Sequence, residues 1–294
     1  MDINFEYYKI FYYVAKYKNI TKAAGVLKSN QPNVTRVIKL LESQLNCTLF
    51  IREPRGLKLT EEGRRLYEHV EVACQHLFNA EAELSSMGEE LGGTIEIGVT
   101  ETALHLYLMD KICEFKKSYP EIKIKIRNNA TPEVIGDLNG GKTDIAFITN
   151  PFSVSEKLTS RKMTEFHEIL VGGSTYAELA ESRKTLKELC SYPLIGLGNG
   201  TATYELYKAV FSEAKIDYEL DMEVATANLM LPLIQNDLGI GFVPEVLAEP
   251  LLEKKELVQI DVDMKMPPRD IQMVWDKGVG KSWAAELFIK YLEK

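Results

Sequence analysis

Gln31, Asn33, Thr35, Arg36 and Lys39 crowd one short stretch with the chemistry needed to read nucleic-acid bases. A carboxamide can pair in a bidentate way with an adenine edge, and a guanidinium with guanine O6 and N7. Thr21 and Asn30 stand at helix starts just ahead of them. Arg52 and Arg55 follow on a basic turn, where an arginine can reach a phosphate or a narrow minor groove. These nine residues are the candidate DNA-binding set. No comparable set for catalysis exists. The chain has no GxSxG, no GxGxxG after a strand, no P-loop and no HExxH. His105 and His167 have no identifiable Ser, Cys or carboxylate partner. His69 and His76 lie seven residues apart, about 10 Å along a helix, too far for one ion without other ligands. Neither an enzyme nor a metal site is expected.

The elements around these residues must hold them in register. Phe5, Tyr8, Phe11, Tyr12 and Ala15 recur at three- and four-residue steps and predict a first helix. Asn19 ends it, and Thr21 is read as the N-cap of a second helix that turns Ala23, Ala24 and Leu27 inward. Ser29-Asn30 forms the turn. Asn30 caps a third helix over 31–45, and Pro32 is tolerated in its first turn because those N–H groups have no helical partner. Val34, Ile38, Leu41 and Leu45 form its buried stripe, which leaves the polar side chains on the other face. A helix-turn-helix places the start of its second helix at the base edges. Residues 51–59 predict a hairpin with Pro54-Arg55-Gly56 at its tip.

This segment resembles the winged helix-turn-helix of LysR-type transcriptional regulators. The resemblance rests on Ala23-Ala24, Gln31-Pro32, Thr35-Arg36, Leu41-Glu42, Leu49-Phe50, Arg52, Leu59-Thr60 and Gly63. Asn30, Asn33, Thr35 and Asn46 stand where the family usually has Ser, Ala, Ser and Gly. Asn46 can still take the left-handed C-cap that glycine takes.

From residue 59 a long helix is expected. Leu66, Val70, Ala73, Leu77, Ala80, Leu84 and Met87 alternate steps of four and three, a heptad seam. A lone helix cannot bury such a seam. The resemblance implies antiparallel pairing with the same helix of a second chain, giving a homodimer and from it a homotetramer. Packing on its own body is the alternative. Gly88, Gly92 and Gly93 close the helix.

The remaining residues alternate strands and helices. Strands are expected at 94–99, 122–126 and 144–148, then at 168–172, 194–197, 218–224 and 240–244, with helices at 104–119, 134–138, 204–214 and 282–291. That pattern predicts parallel α/β sheets in two lobes. Gly93-Thr94-Ile95-Glu96-Ile97-Gly98, Asp144-Ile145-Ala146 and the glycines and proline of 236–244 match family positions. The body resembles periplasmic binding proteins. The fold class is therefore α/β overall, with an all-α winged head, a linker helix and a two-lobed effector domain. The expected boundaries are 1–58, 59–90 and 91–294, the last split into lobe 1 (about 91–162 and 266–294) and lobe 2 (about 163–265). Ligands in open α/β sheets sit beyond the carboxyl ends of strands. Thr100, Thr102, Asn128, Thr131, Thr149, Asn199, Thr201 and Thr226 lie there and form the candidate effector set. Hydroxyls and helix starts suit a small anionic or polar metabolite.

Bulk properties agree with a DNA-binding arm on a second body. The net charge of the 294 residues is −8, but residues 1–66 hold twelve Lys and Arg against six Asp and Glu. The basic head is attached to an acidic remainder. Cys47, Cys74, Cys113 and Cys190 form no CxxC, which suits a reducing compartment. The N-terminal residues carry no signal pattern, and no apolar run reaches the ~20 residues of a membrane span. A cytoplasmic regulator that binds promoter DNA and a small effector, without a cofactor, is the expectation. An enzyme with a DNA-binding appendage, a redox-sensing regulator and a metabolite-binding module without DNA readout are the competing readings.

Overall fold

Asn4 opens the first helix by accepting from the Glu6 N–H at 2.9 Å. The computed structural model describes residues 3–53, 56–86, 93–264, 266–277 and 282–293, in two compact units, the first built on residues 1–88. The N-terminal unit runs α1 (Phe5–Tyr17), α2 (Ile20–Val26), α3 (Gln31–Leu45), β1 (Phe50–Glu53), β2 (Gly56–Leu59) and α4 (Glu61–Ser86).

Lys18, in the left-handed region at φ 50°, ends α1. Asn19 then caps α2, accepting from the Lys22 N–H at 2.9 Å. Thr21 is therefore inside α2 and is not its cap. Asn30 caps α3 as expected, taking the Asn33 N–H at 2.8 Å, and Asn46 ends it at φ 51°. The core gathers Phe11, Val14, Ala23, Ala24, Val34, Leu41 and Leu49. The α1 stripe is Ile10, Phe11, Tyr12, Val14 and Ala15, whereas Phe5 is 51% exposed. Val37 joins the α3 stripe, and Leu45 is only half-buried.

Glu42 ties α3 to the hairpin, with one carboxylate oxygen accepting from the Leu49 N–H (2.7 Å) and the Phe50 N–H (3.3 Å). Thr60 starts α4 by accepting from the Gly63 N–H at 2.9 Å. Gly63 backs onto the Leu49 carbonyl so closely that a Cβ there would lie 2.1 Å from its oxygen. The Leu-Thr-x-x-Gly pattern thus has a packing cause.

The C-terminal unit begins with β3 (Gly93–Val99) and α5 (Glu101–Ala103). A π-helical turn over Leu104–Leu108 leads into α6 (Met109–Ser118). Then come β4 (Ile122–Asn128), α7 (Thr131–Asn139), β5 (Ile145–Thr149), β6 (Leu158–Phe166) and β7 (Glu168–Gly172). A 3₁₀ segment over Ser174–Glu181 is followed by α8 (Leu186–Leu189), β8 (Ile195–Leu197), α9 (Ala202–Glu213), β9 (Met222–Val224) and α10 (Ala227–Gln235). The unit closes with β10 (Ile240–Pro244), α11 (Glu245–Glu253), β11 (Val258–Ile260), β12 (Arg269–Asp276) and α12 (Trp283–Leu292).

Two sheets organise these elements. The first has the order β4-β3-β5-β12-β6, and the second β10-β7-β11. The β8-β9 pair joins the second through a bridge between Leu194 and Ile240. Each sheet has its own core. Ile95, Ile97, Phe115, Phe147 and Phe288 pack at the first, and Leu170, Tyr207, Phe211 and Phe242 at the second.

The first sheet is mixed and the second antiparallel, which corrects the expectation of parallel ones. Only β4, β3 and β5 run parallel in the first sheet; β12 and β6 are antiparallel additions. The β10-β7-β11 sheet is antiparallel throughout. β6 is an edge strand with charged Arg161, Lys162 and Glu165 exposed, a way of blunting an edge that hides the strand from an apolar pattern. Of the strand expected at 218–224, only Met222–Val224 forms. Tyr218 is buried in the core without joining a ladder.

Candidate nucleic-acid interface and ligand cleft

The polar face of α3 is differentiated residue by residue. Gln31, Arg36 and Lys39 are exposed. With Pro32 and Thr35 they line a shallow depression of about 550 Å³. Thr21 donates its hydroxyl to the Gln31 carboxamide oxygen at 3.4 Å. Asn33 is half-buried, and both ends of its carboxamide are engaged. Its Nδ2 donates to Ser29 Oγ at 3.1 Å, and its Oδ1 accepts from Arg36 Nη2 at 3.1 Å. Asn33 therefore orients a guanidinium. Thr35 returns its hydroxyl to the Gln31 carbonyl at 2.9 Å, a common helical back-bond. The Asn30 carboxamide oxygen is occupied by capping. Arg55 lies outside the described residues, as does the Arg52 side chain, although the Arg52 backbone pairs with Leu57 in the hairpin.

The expected heptad seam divides in two. Leu66 and Val70 pack into the head's own core, together with Tyr67, Cys74 and Phe78. Tyr67 stacks on Tyr12 at 6.1 Å and donates to Glu71 at 2.8 Å. Burial, with Glu71 bonded to it, pushes its hydroxyl well above the usual phenol range. Ala73, Leu77 and Ala80 stay exposed. The Leu84 side chain lies outside the described residues. Leu66 and Val70 thus pack within this chain, because the helix is fastened to α1 as far as Phe78.

In the C-terminal unit, Thr100, Asn128 and Thr149 stand at or just past the carboxyl ends of the adjacent strands β3, β4 and β5. Thr100 is buried, and its hydroxyl has no hydrogen-bond partner among the described residues. Thr102 is half-buried, Asn128 and Asn199 are exposed, and Thr131 is buried at the start of α7. Thr201 caps α9, accepting from the Tyr204 N–H at 3.1 Å and donating to the Gly198 carbonyl at 2.9 Å. Thr226 holds the N-cap position of α10 without a side-chain bond.

Glu101 supplies what Thr226 does not. Its carboxylate accepts from the Asn228 N–H at 3.4 Å and from Asn228 Nδ2, which also lies 3.1 Å from His105 Nε2. This contact joins the first lobe to the second. It is absent from the candidate set because no local pattern links residues 127 positions apart.

The other group missed from sequence is a buried ion pair. Arg269 is 1% exposed, and its Nη1 lies 2.9 Å from Glu168 Oε1. The second Glu168 oxygen accepts from the Tyr207 hydroxyl at 2.5 Å. Burial, with that carboxylate beside it, drives the Tyr207 hydroxyl far above the phenol range and keeps it a donor.

The comparisons with known proteins agree with this architecture. The family described as "Bacterial regulatory helix-turn-helix protein, lysR family" matches residues 5–64, and "LysR substrate binding domain" matches residues 88–294. The HTH-type transcriptional regulator YofA of Bacillus subtilis (strain 168) is 29% identical over 238 residues, covering 81% of this chain and 80% of that protein. The crystal structure of CbnR, a LysR family transcriptional regulator, superimposes with a TM-score of 0.71 at 17% identity, covering 99% of this chain and 98% of CbnR. Full-length CbnR complexed with its target DNA gives 0.72, also at 17% identity, with 99% of both chains covered. The chain belongs to the LysR family. It is a LysR-type transcriptional regulator with a helix-turn-helix DNA-binding domain and a C-terminal effector-binding domain. No helix of the described residues is long and apolar enough to cross a membrane.

Proposed function

We propose that Gln31 and Arg36 read base edges, that the Thr35 methyl adds an apolar contact, and that Lys39, Arg52 and Arg55 hold phosphate or minor groove. Thr21, Asn30 and Asn33 serve by fixing the start of α3. The observation that carries this reading is the exposure of Gln31, Arg36 and Lys39 on one side of a helix whose other side is the head's core. The working division is residues 1–58 for DNA, 59–90 for self-association and 91–294 for sensing.

Ala73, Leu77 and Ala80, with Leu84 beyond them, form the surface for a second chain, giving a cytoplasmic homodimer and then a tetramer. A small polar or anionic metabolite binds among Thr100, Thr102, Asn128, Thr131, Thr149, Asn199, Thr201 and Thr226, and changes how the assembly bends promoter DNA. The free hydroxyl of Thr100 and the open cap of Thr226 support that placement. The chain works without cofactor or catalysis. Recovering genomic fragments bound by the purified protein, then screening metabolites for altered affinity to the recovered site, tests this. A protein that enriches no sequence, or whose enriched sites bind unchanged after Gln31→Ala and Arg36→Ala together, overturns it.

A further inference from the structure

Arg269 uses every donor it has. Its Nε donates to the Asn150 carbonyl at 3.2 Å. Its Nη1 donates to Glu168 Oε1 (2.9 Å) and Thr203 Oγ1 (3.1 Å), and its Nη2 to Thr149 Oγ1 (3.1 Å) and the Asn150 carbonyl (2.8 Å). A guanidinium has five N–H groups in a fixed fork, so the set is complete. The acceptors come from both lobes. Thr149 ends β5 in the first sheet and Asn150 follows it, Glu168 begins β7 in the second, and Thr203 sits in the first turn of α9. Arg269 itself begins β12, paired with Phe166 at the end of β6. It therefore sits where both connecting segments pass between the sheets.

A buried ion pair of this kind is a poor device for stability, because desolvation offsets most of its attraction. A rigid fork with five bonds to four acceptors is a good device for fixing an angle. Thr149 belongs to the proposed cleft, and Thr203 lies two residues from Thr201. Arg269 occupies each hydroxyl as an acceptor, so each O–H remains to be donated elsewhere. We propose that Arg269, held by Glu168, is a positioning residue that sets the angle between the two lobes and presents the Thr149 and Thr203 hydroxyls as donors to the cleft. A ligand that draws on either hydroxyl then acts on the same guanidinium that fixes the hinge. This rests on the reading that the effector sits between the lobes.

The test needs no ligand. Cys113 on α6 and Cys190 after α8 are exposed and lie one in each lobe, while Cys74 is buried. Nitroxide labels on these two cysteines, in full-length Cys47→Ser protein diluted into unlabelled chain, report lobe separation by electron–electron resonance. Glu168→Leu with Arg269→Met removes the pair without leaving a lone buried charge. Thr149→Val with Thr203→Val removes two acceptors and leaves the pair. In both variants a broadened distance distribution is expected, with a lowered melting temperature in the apolar double, where the buried Tyr207 hydroxyl loses its acceptor. Distributions superimposable on the parent overturn the proposal. If the apolar double does not fold, the threonine pair decides alone. A metabolite screen that places the effector outside the cleft would sink the sensing reading and leave this measurement standing.

Discussion

Arg36 owes its pose to Asn33, which takes a guanidinium proton at 3.1 Å while anchored to Ser29. Holding a long side chain in one rotamer before binding removes part of the entropy lost on docking. Arg36→Ala should weaken binding to the cognate site by ~1–3 kcal/mol and relax specificity at one position. Asn33→Ala keeps the charge and loses the pose. It should reduce discrimination between cognate and scrambled duplex in an anisotropy titration while leaving low-salt binding to scrambled duplex unchanged. Equal loss on both duplexes would contradict the orienting role. Asp237 offers a test in the sensor body. It sits at φ 59°, and its carboxylate accepts from the Thr175 N–H (3.0 Å) and hydroxyl (2.8 Å), which hold its carboxyl below the usual range. A lowered folded value means the contribution is present above the ordinary Asp pKa of about 3.9 and is lost as pH falls through the folded value. Asn tolerates the same backbone conformation. Asp237→Asn should therefore melt somewhat lower than the parent at neutral pH and converge with it as pH falls through the folded value, which flattens the acid side of the profile. A variant profile parallel to the parent's down to low pH would refute this.

α4 divides its surface by partner. Val70 is buried against the head, and Leu77, two turns on, is 46% exposed. Leu77→Asp should weaken self-association in sedimentation without lowering the melting point. Val70→Asp should unfold the head, since it buries a charge without a partner. Reversal of these outcomes would mean that the exposed stripe is not the contact. The periodicity of this helix was readable, but its division was not. Which seam residues a head consumes depends on α1, whose Tyr12 and Tyr13 reach Phe78. Local chemistry explains what was legible elsewhere. The ends of α3 coincide with Asn30 and Asn46 because each cap acts within a turn. Thr21 and Asn19 are both competent caps, and only the bond to Lys22 chooses between them. Glu168 and Arg269 are 101 residues apart, so their pairing left no local trace. β6 and β12 were hidden for a related reason. Their pairing is non-local, and the edge strand carries Arg161, Lys162 and Glu165 where a core strand carries apolar side chains.

Charge is segregated along the whole molecule. Residues 1–66 carry a net +6, and the remainder is −14 to give the total of −8. An acidic body is repelled by a polyanion, so attraction to DNA is confined to the head. One recognition helix contacts only a few base pairs, too little to find a site among genomic competitors. A second copy solves this by bivalency. Once one head is bound, the other meets its half-site at high effective concentration, which raises affinity by about 10²–10⁴ without any new contact. A twofold dimer implies an inverted repeat with half-sites about one turn, ~34 Å, apart. Inserting about five base pairs between half-sites turns one to the opposite face of the duplex. The full chain should then bind with roughly the affinity of a single half-site, and a further insertion to a complete extra turn should restore part of the loss. Leu77→Asp protein should be indifferent to both insertions. If parent and variant respond alike to spacing, the gain does not come from paired heads, and the self-association assigned to α4 fails with it.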